Sequence, residues 1–511
     1  MKTSLIQYFQ ETVARCPDRT AVWDAGKTYS FREIFARAQR LAHEIHELNP
    51  VTRRIVAVYL PKCVGVTISD YAILMSANGF MNLDVKTPVE RIGEILKTVE
   101  PLVVITNAAG RKSLESVWGG DFLSVETVLA DDLRDLPCVA NWDFFGAHVI
   151  DADPFCIINT SGSTGIPKGV VTPFRGFHNF VLWTIEKYGM RQDVEVAASV
   201  SPVFFDAFVL ELLLMSVVGL RQVLVPDSYR MFPIKILQLM QEQEVSFFLW
   251  VPTIMVNIAN SGLLERFPVK SLRVGWFAGE ICPPHQTNQW IAAHPQAQFA
   301  NLYGPMEVTV VCTYYNIPGP VDESKSIPIG KSIDNYDVQL LTEDGLRITK
   351  PGQEGEICAR GSVIAFGYYG LAEKTSAVFR QDVENPKYGE KFYHTGDYGM
   401  YDENGEIIFC GRKDTLVKHS GYRIELAEIE HALFTSAKLA QYGCVVYDFK
   451  KREIVACYEA STDLDEGETR RTLTKFLPKY MLPTRFWRFD SMPRNGAGKI
   501  DRALLNGQVN G

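Results

Sequence analysis

A run of hydroxyls, glycines and one lysine, Thr160-Ser161-Gly162-Ser163-Thr164-Gly165-Ile166-Pro167-Lys168-Gly169, directly follows the apolar stretch Phe155–Asn159. Glycine permits close backbone approach, hydroxyls donate to oxyanions, and successive N–H groups in a turn form an anion-binding concavity. The segment therefore reads as a loop that wraps phosphate oxygens of a nucleotide. It is not a Walker A loop, because Lys168 is followed by glycine where that motif requires Ser or Thr. On composition alone a Gly/Ser-rich stretch is equally a plain turn. The ordered Pro-Lys-Gly ending sets this one apart.

Further motifs occur along the chain: Lys27-Thr28-Tyr29-Ser30-Phe31, Leu83-Asp84 with Pro88-Val89-Glu90-Arg91-Ile92, Phe205-Asp206-Ala207, Ala278-Gly279-Glu280 and Asn301-Leu302-Tyr303-Gly304-Pro305-Met306-Glu307. Gly355-Glu356-Ile357, Tyr393-His394-Thr395-Gly396-Asp397, Gly411-Arg412-Lys413-Asp414, Gly421-Tyr422-Arg423-Ile424-Glu425-Leu426 and Asn495-Gly496-Ala497-Gly498-Lys499-Ile500-Asp501 follow. In this order, over nearly the whole chain, they resemble the adenylate-forming superfamily of acyl-CoA synthetases, luciferases and nonribosomal peptide synthetase adenylation domains. The resemblance implies a ligase that uses ATP and Mg²⁺ to join a carboxylic acid to AMP, then passes the acyl group to a thiol.

It also implies residue roles. Negative charge grows on the α-phosphate during attack and must meet pre-placed cations and donors. Thr160, Ser161, Gly162, Ser163, Thr164 and Lys168 would hold the phosphates. Lys499 would bridge the carboxylate and α-phosphate, although alone a lysine in a Gly-rich turn near a chain end is a solvated surface group. Glu307, a hard oxygen ligand for a hard cation, would hold Mg²⁺; singly it too reads as a surface residue. Tyr303 would stack on adenine and Asn301 face its amino group, with Gly279, Glu280, Leu302, Gly304, Pro305 and Met306 completing the nucleotide site. Asp397 would accept the ribose hydroxyls beside Arg412, though a Thr-Gly-Asp turn is otherwise ordinary loop chemistry. Met306 departs from the family, which usually has threonine there; it offers no donor, which leaves that contact to backbone amides. Asp414 resembles the pivot of a mobile lid, and Gly421 with its neighbours would line the entry of the thiol.

Asp206 bears on the acid. Amino-acid-activating relatives carry aspartate here to pair with the α-ammonium, while its place before Ala-Phe-Val-Leu-Glu also suits a helix cap; both roles can coexist. By motif offset the remaining pocket positions are Ala207, Leu210, Leu249, Trp276, Ala278, Leu302, Val310 and Val311. Apart from the Trp276 indole N–H none offers a polar side-chain group, so a charged substrate side chain would lack partners. The pattern resembles proline-activating enzymes first and D-alanine–carrier ligases second. No cysteine matches a family nucleophile, and no segment before Gly511 resembles a phosphopantetheine attachment site. The thiol is therefore expected on a separate carrier protein, with coenzyme A, and hence an acyl-CoA ligase, as the alternative. A relative that binds nucleotide without turnover is a third reading; Met306 is its sole support, and Lys499 with the phosphate loop argues against it.

Such residues need rigid elements to position them. Strand-like runs at Arg54–Tyr59, Leu102–Thr106, Phe155–Asn159 and Gln222–Val225 alternate with amphipathic stretches, which predicts α/β layers with parallel sheet. Near residue 340 the texture changes to short strands and turns. Beyond the basic segment Gly411–Gly421 comes an α+β pattern: helices near Glu425–Phe434 and Glu466–Phe476, strands near Cys444–Tyr447 and Glu453–Ala460. We expect a large N-terminal body, residues 1–413, and a small mobile C-terminal domain, 414–511.

The 511 residues allow two to four folding units of roughly 100–200 residues each. With 46% hydrophobic residues and a net charge of −8, the chain has no long Lys/Arg run, which argues against nucleic acid. Leu5, Ile6, Phe9 and Val13 recur at helical spacing rather than forming a signal-peptide core. The run Phe208–Leu220, interrupted by Glu211, is shorter than the roughly 18–20 residues of a membrane span. Ten cysteines occur without a Cys-x-x-Cys pair or a Cys/His cluster at zinc spacing, the pattern of reduced cytoplasmic thiols.

Overall fold

The computed structural model describes residues 2–129, 149–160, 167–190, 194–412, 416–440, 442–494 and 500–511. Its largest sheet runs, from one edge, Lys331–Ser332, Thr313–Ile317, Gln298–Tyr303, Val274–Ala278, Phe247–Trp250, Val196–Ser199, Arg221–Leu224, Thr20–Asp24 and Lys27–Ser30. The strands from Gln298–Tyr303 through Thr20–Asp24 are parallel, and antiparallel strands close both edges. A second sheet runs Gly367–Tyr368, Lys168–Pro173, Pro154–Thr160, Gly79–Asn82, Ile55–Tyr59, Val104–Thr106 and Phe122–Ser124. Every residue of Ile55–Tyr59 is buried, as a parallel strand covered on both faces requires.

Helices fill the space between these sheets. Asp206–Val218 is apolar on all sides and buried from Phe208 to Val217, the behaviour of a core helix. Gly219, at φ +78°, ends it. Leu5–Arg15 lays Leu5, Ile6 and Phe9 against the same core, with Phe9 stacked on Tyr71 at 3.9 Å. Phe31–Leu48 begins with a capping box between Ser30 and Glu33. A third sheet of short strands, Arg347–Ile348, Tyr336–Leu341, Glu354–Gly361, Lys391–Tyr401 and Phe379–Gln381, with Ile407–Arg412 paired to Lys391–Tyr401, begins where the sequence texture changes.

The C-terminal elements are the hairpin Leu416–His419/Tyr422–Glu425 and a three-stranded sheet of Tyr442–Asp448, Glu453–Glu459 and Arg485–Phe489. The helix expected over Glu425–Phe434 is α-helical at Leu426–Glu430 and widens into a π-type turn at His431–Ser436. Glu466–Leu473 ends three residues before the expected Phe476. Buried clusters here draw their apolar residues from Val417 onward. Among the described residues no helix is long and apolar enough to cross a membrane, and the nine described cysteines are free.

Candidate active site

The strands Pro154–Thr160 and Lys168–Pro173 pair antiparallel, with Thr160 opposite Lys168. The Thr160 hydroxyl donates to the Lys168 carbonyl at 3.4 Å. Both ends of the Gly/Ser-rich segment are thus held in a sheet; Ser161, Gly162, Ser163 and Thr164 themselves lie outside the described residues. The Lys168 ammonium stands 5.3 Å from the Tyr368 ring centroid. Burial, and then the neighbouring Arg423, pulls its pKa below the ordinary lysine value.

The parallel strand Gln298–Tyr303 delivers the next group at its C-terminal end, where open α/β sheets place ligands. The Tyr303 hydroxyl donates to Asp397 Oδ2 at 2.6 Å, and Arg412 donates to Asp397 Oδ1 at 2.6 Å. Asp397 and Arg412 are register partners on adjacent antiparallel strands, so their pairing follows from the sheet. Asn301 Nδ2 donates to the Pro328 carbonyl at 2.8 Å. The chain then folds back on itself: a Cβ on Gly304 would lie 2.4 Å from Val311 Cα, which only glycine allows. Past Glu307 the β-branched residues Thr309 and Val310 hold φ of +55° and +62°, an uncommon, strained conformation next to a functional site. Pro305, Met306, Val310 and Val311 line the same cavity.

Glu307 is the buried hub. Its side chain accepts from the Tyr368 hydroxyl and from Arg423 Nη1, each at 2.8 Å, and it is 0% exposed. Burial pushes its carboxyl up, but Arg423, by charge and hydrogen bond, and Tyr368 bring it below the ordinary value. The carboxylate fits Mg²⁺ as a hard oxygen donor. Arg423 takes one lone pair of one oxygen and Tyr368 one of the other, so a metal bound there would face the Arg423 charge at close range.

Arg423 belongs to the hairpin Leu416–Glu425, which enters the site from the C-terminal elements. Ser420 and Gly421, at φ +52° and +84°, make its turn, and the Gly421 N–H donates to Glu280 Oε1 at 2.6 Å. A Cβ at Gly421 would sit 3.0 Å from the Val251 side chain, so glycine also permits this approach. Glu280 accepts from Thr253 N–H and hydroxyl through its other oxygen; its carboxylate anchors the hairpin rather than lining the cavity. Tyr422 stacks on Tyr480 at 3.6 Å and tilts against Phe205 at 5.5 Å. Arg91, from Val89–Val99, pairs with the buried Glu428 across the same junction. The Lys418 ammonium lies 5.6 Å from the Tyr303 ring centroid. Burial lowers its pKa, Asp397 opposing. Lys418 and Arg423 carry no assigned role in the sequence reading. Their signal was the basic hairpin itself, Val-Lys-His-Ser-Gly-Tyr-Arg.

The cavity encloses about 200 Å³ of water-accessible space and reaches from Asp397 and Arg412 past Asp206 to Arg91, Tyr422 and Tyr480. Asp206, Ala207, Leu249, Ala278, Val310 and Val311 line it. Leu210, Trp276 and Leu302 do not; they are 0%, 0% and 2% exposed and belong to the core behind the wall. Trp276 is packed edge-on by Tyr188 and Phe247 at 4.8 and 5.1 Å, and its indole N–H has no partner among the described residues. Asp206 is the first helical residue, after Phe205 at the cap position, and the nearby backbone amides of Asp206 and Ala207 favour its ionised form. Burial lifts it to about 6, against those amides and Lys418. Asp414 and Lys499 lie outside the described residues.

Residues 9–369 match the family model described as AMP-binding enzyme. Tyrocidine synthase 2 of Brevibacillus parabrevis is 31% identical over 508 residues, which are 99% of this chain and 14% of that protein. The chain thus spans about a seventh of that relative's length. Zwittermicin A synthase ZmaJ of Bacillus cereus is 26% identical, covering 99% of this chain and 95% of its own. The Vibrio cholerae adenylation domain AlmE, solved with glycyl-adenosine-5'-phosphate, superposes with a TM-score of 0.82 at 21% identity over 100% of this chain and 98% of that one.

Proposed function

The chain belongs to the AMP-binding enzyme family, and from that premise we propose that it activates a small apolar amino acid, proline first and alanine second, as an aminoacyl adenylate. One observation carries the choice of acid: Asp206 is the carboxylate on an otherwise apolar wall formed by Ala207, Leu249, Ala278, Val310 and Val311, with Trp276 packed behind it. A desolvated carboxylate favours an ammonium partner, and the wall offers a polar substrate side chain nothing to bond.

In the first half-reaction a carboxylate oxygen of the substrate attacks the α-phosphorus of ATP, and the bond to pyrophosphate breaks. The loop from Thr160 to Lys168 holds the phosphates, and Lys499 neutralises the charge that builds on the α-phosphate. Tyr303 and Asn301 orient adenine; Asp397 and Arg412 orient the ribose. Mg²⁺, when bound at Glu307, offsets phosphate charge. In the second half-reaction a thiolate attacks the acyl carbon and AMP leaves. The thiol is that of a phosphopantetheine arm on a carrier protein, entering beside Gly421 and Tyr422.

The two steps need different walls, and a moving lid supplies them. Residues 1–413 form the body and 414–511 the lid, pivoting at Asp414. The hairpin and Arg423 stand in the site for thioester formation; they withdraw so that Lys499 and Mg²⁺ can act. The test is ATP–pyrophosphate exchange across the amino acids, D-alanine and simple carboxylic acids. Exchange with proline or alanine supports the reading. Exchange with simple acids alone moves the protein to the acyl-CoA ligases. ATP binding without exchange makes it a nucleotide-binding relative.

A further inference from the structure

Three donors of different chemistry converge within the third sheet, behind the turn that presents Asp397. Glu356 and Cys358 share a face of Glu354–Gly361 by strand alternation, and Cys358 lies opposite His394 on Lys391–Tyr401. The register shift lies on the partner strand, where Thr395, Gly396 and Asp397 stand opposite Ile357 alone and bulge Lys391–Tyr401. His394 Nδ1 stands 2.8 Å from Glu356 Oε2 and 3.4 Å from Cys358 Sγ. The three donor atoms lie within 4.8 Å of one another.

Carboxylate and thiol both face the same ring nitrogen. A relay that activates a thiol needs them on opposite nitrogens, so this is not nucleophile activation. One proton on Nδ1 serves one neighbour well; a divalent cation in its place serves all three donors. Tetrahedral Zn²⁺ with its usual bond lengths sets sulfur and nitrogen about 3.5 Å apart, and nitrogen and oxygen about 3.3 Å apart. The sulfur–nitrogen separation already fits, the nitrogen–carboxylate separation must open by about half an ångström, and sulfur and carboxylate, within 4.8 Å of each other, must come to about 3.5 Å. The Glu356 and His394 side chains keep 17% and 10% exposure, which gives an ion a path. The Gly396 N–H donates to Glu356 Oε1 at 2.9 Å and orients the carboxylate, as supporting partners of metal ligands do. Arg380 acts electrostatically on both Glu356 and Cys358, and donates through Nε to the Ala377 carbonyl at 2.8 Å.

We propose that Glu356, Cys358 and His394 form a binding site for a borderline-soft divalent cation of the Zn²⁺ type, with water as the fourth ligand. Burial and the Glu356 charge favour a protonated Cys358 thiol without the ion, so loading releases that proton to solvent. The site is independent of the adenylate chemistry proposed above.

The test is Co²⁺ titration of the full chain under reducing conditions, followed by zinc-edge X-ray absorption on protein loaded with one equivalent of Zn²⁺. We expect one Co²⁺ per chain, with a sulfur-to-cobalt charge-transfer band and tetrahedral ligand-field bands that Zn²⁺ abolishes. The zinc edge should count one sulfur and three lighter ligands. Cys358→Ser and His394→Gln should each remove or shift these bands and weaken binding by about 100-fold or more, whereas Cys410→Ser, at an exposed thiol, should leave them. A wild-type chain that binds no Co²⁺, a sulfur-free zinc shell, or bands that survive Cys358→Ser would each overturn the assignment. The first two readouts use unaltered protein, so a misfolded variant does not blunt the test.

Discussion

Asp206→Asn isolates the interaction that decides which acids are activated. Burial lifts the Asp206 carboxyl from the ordinary 3.8 to about 6, its own and the Ala207 amides and Lys418 opposing, Glu307 reinforcing. That is roughly a hundredfold in acidity, or ~3 kcal/mol at about 1.4 kcal/mol per tenfold. The ionised site therefore carries that much unmet desolvation, which an α-ammonium can recover. Asn keeps the shape and removes the charge. KM for the amino acid should rise about 100-fold, while ATP binding stays unchanged. In wild type the carboxylate is ionised above pH 6 and protonated below it, so kcat/KM should fall about tenfold per pH unit on the acid side. Stability runs the other way. A raised carboxyl pKa favours the folded state below 3.8 and loses that contribution as pH rises through about 6, so Asp206→Asn should raise the Tm of unliganded protein at pH 7. The assay is pyrophosphate exchange with the amino acid and with the same acid lacking its amine, in both proteins. If the variant preferred the amine-bearing acid as strongly as wild type does, the assignment of Asp206 to the ammonium would fall.

Three further outcomes are expected. Lys499→Ala should slow pyrophosphate exchange by about 100–1000-fold in protein with unchanged circular dichroism, the usual loss of one charge-stabilising donor. Arg423→Gln leaves the buried Glu307 carboxylate unpaired when the hairpin is docked, at about 3 kcal/mol. Thioester formation, followed by mass spectrometry, should slow about 100-fold with exchange nearly unchanged; equal losses in both would refute the separation of the two steps. Trp276→Leu should move exchange about tenfold toward leucine and phenylalanine, while Trp276→Ala should cost about 3–5 kcal/mol in denaturant titration because three packed rings lose their partner.

What the sequence disclosed was local. Ile55–Tyr59, Pro154–Thr160 and Glu453–Glu459 were legible as strands because their apolar residues are contiguous and β-branched. Asp397 and Arg412 came out as neighbours because motif and sheet register agree. Contacts between distant segments were not legible: Arg423 meets Glu307 across 116 residues and Gly421 meets Glu280 across 141. No periodicity encodes such a pairing. The pocket positions Leu210, Trp276 and Leu302 lie behind the wall rather than on it, because a motif offset fixes a place along an element but not how far the cavity penetrates behind it. Glu356, Cys358 and His394 escaped for a related reason. A search at zinc spacing looks along the chain, and these donors meet across strands, 36 and 38 residues apart.

The contact between Gly304 and Val311 has a consequence for redesign. Gly304 follows the tyrosine assigned to adenine, Val311 borders the acid, and their backbones touch with no room for a methyl group. The two half-sites are therefore one solid piece there, and widening the acid side at Val311 will disturb how the nucleotide sits.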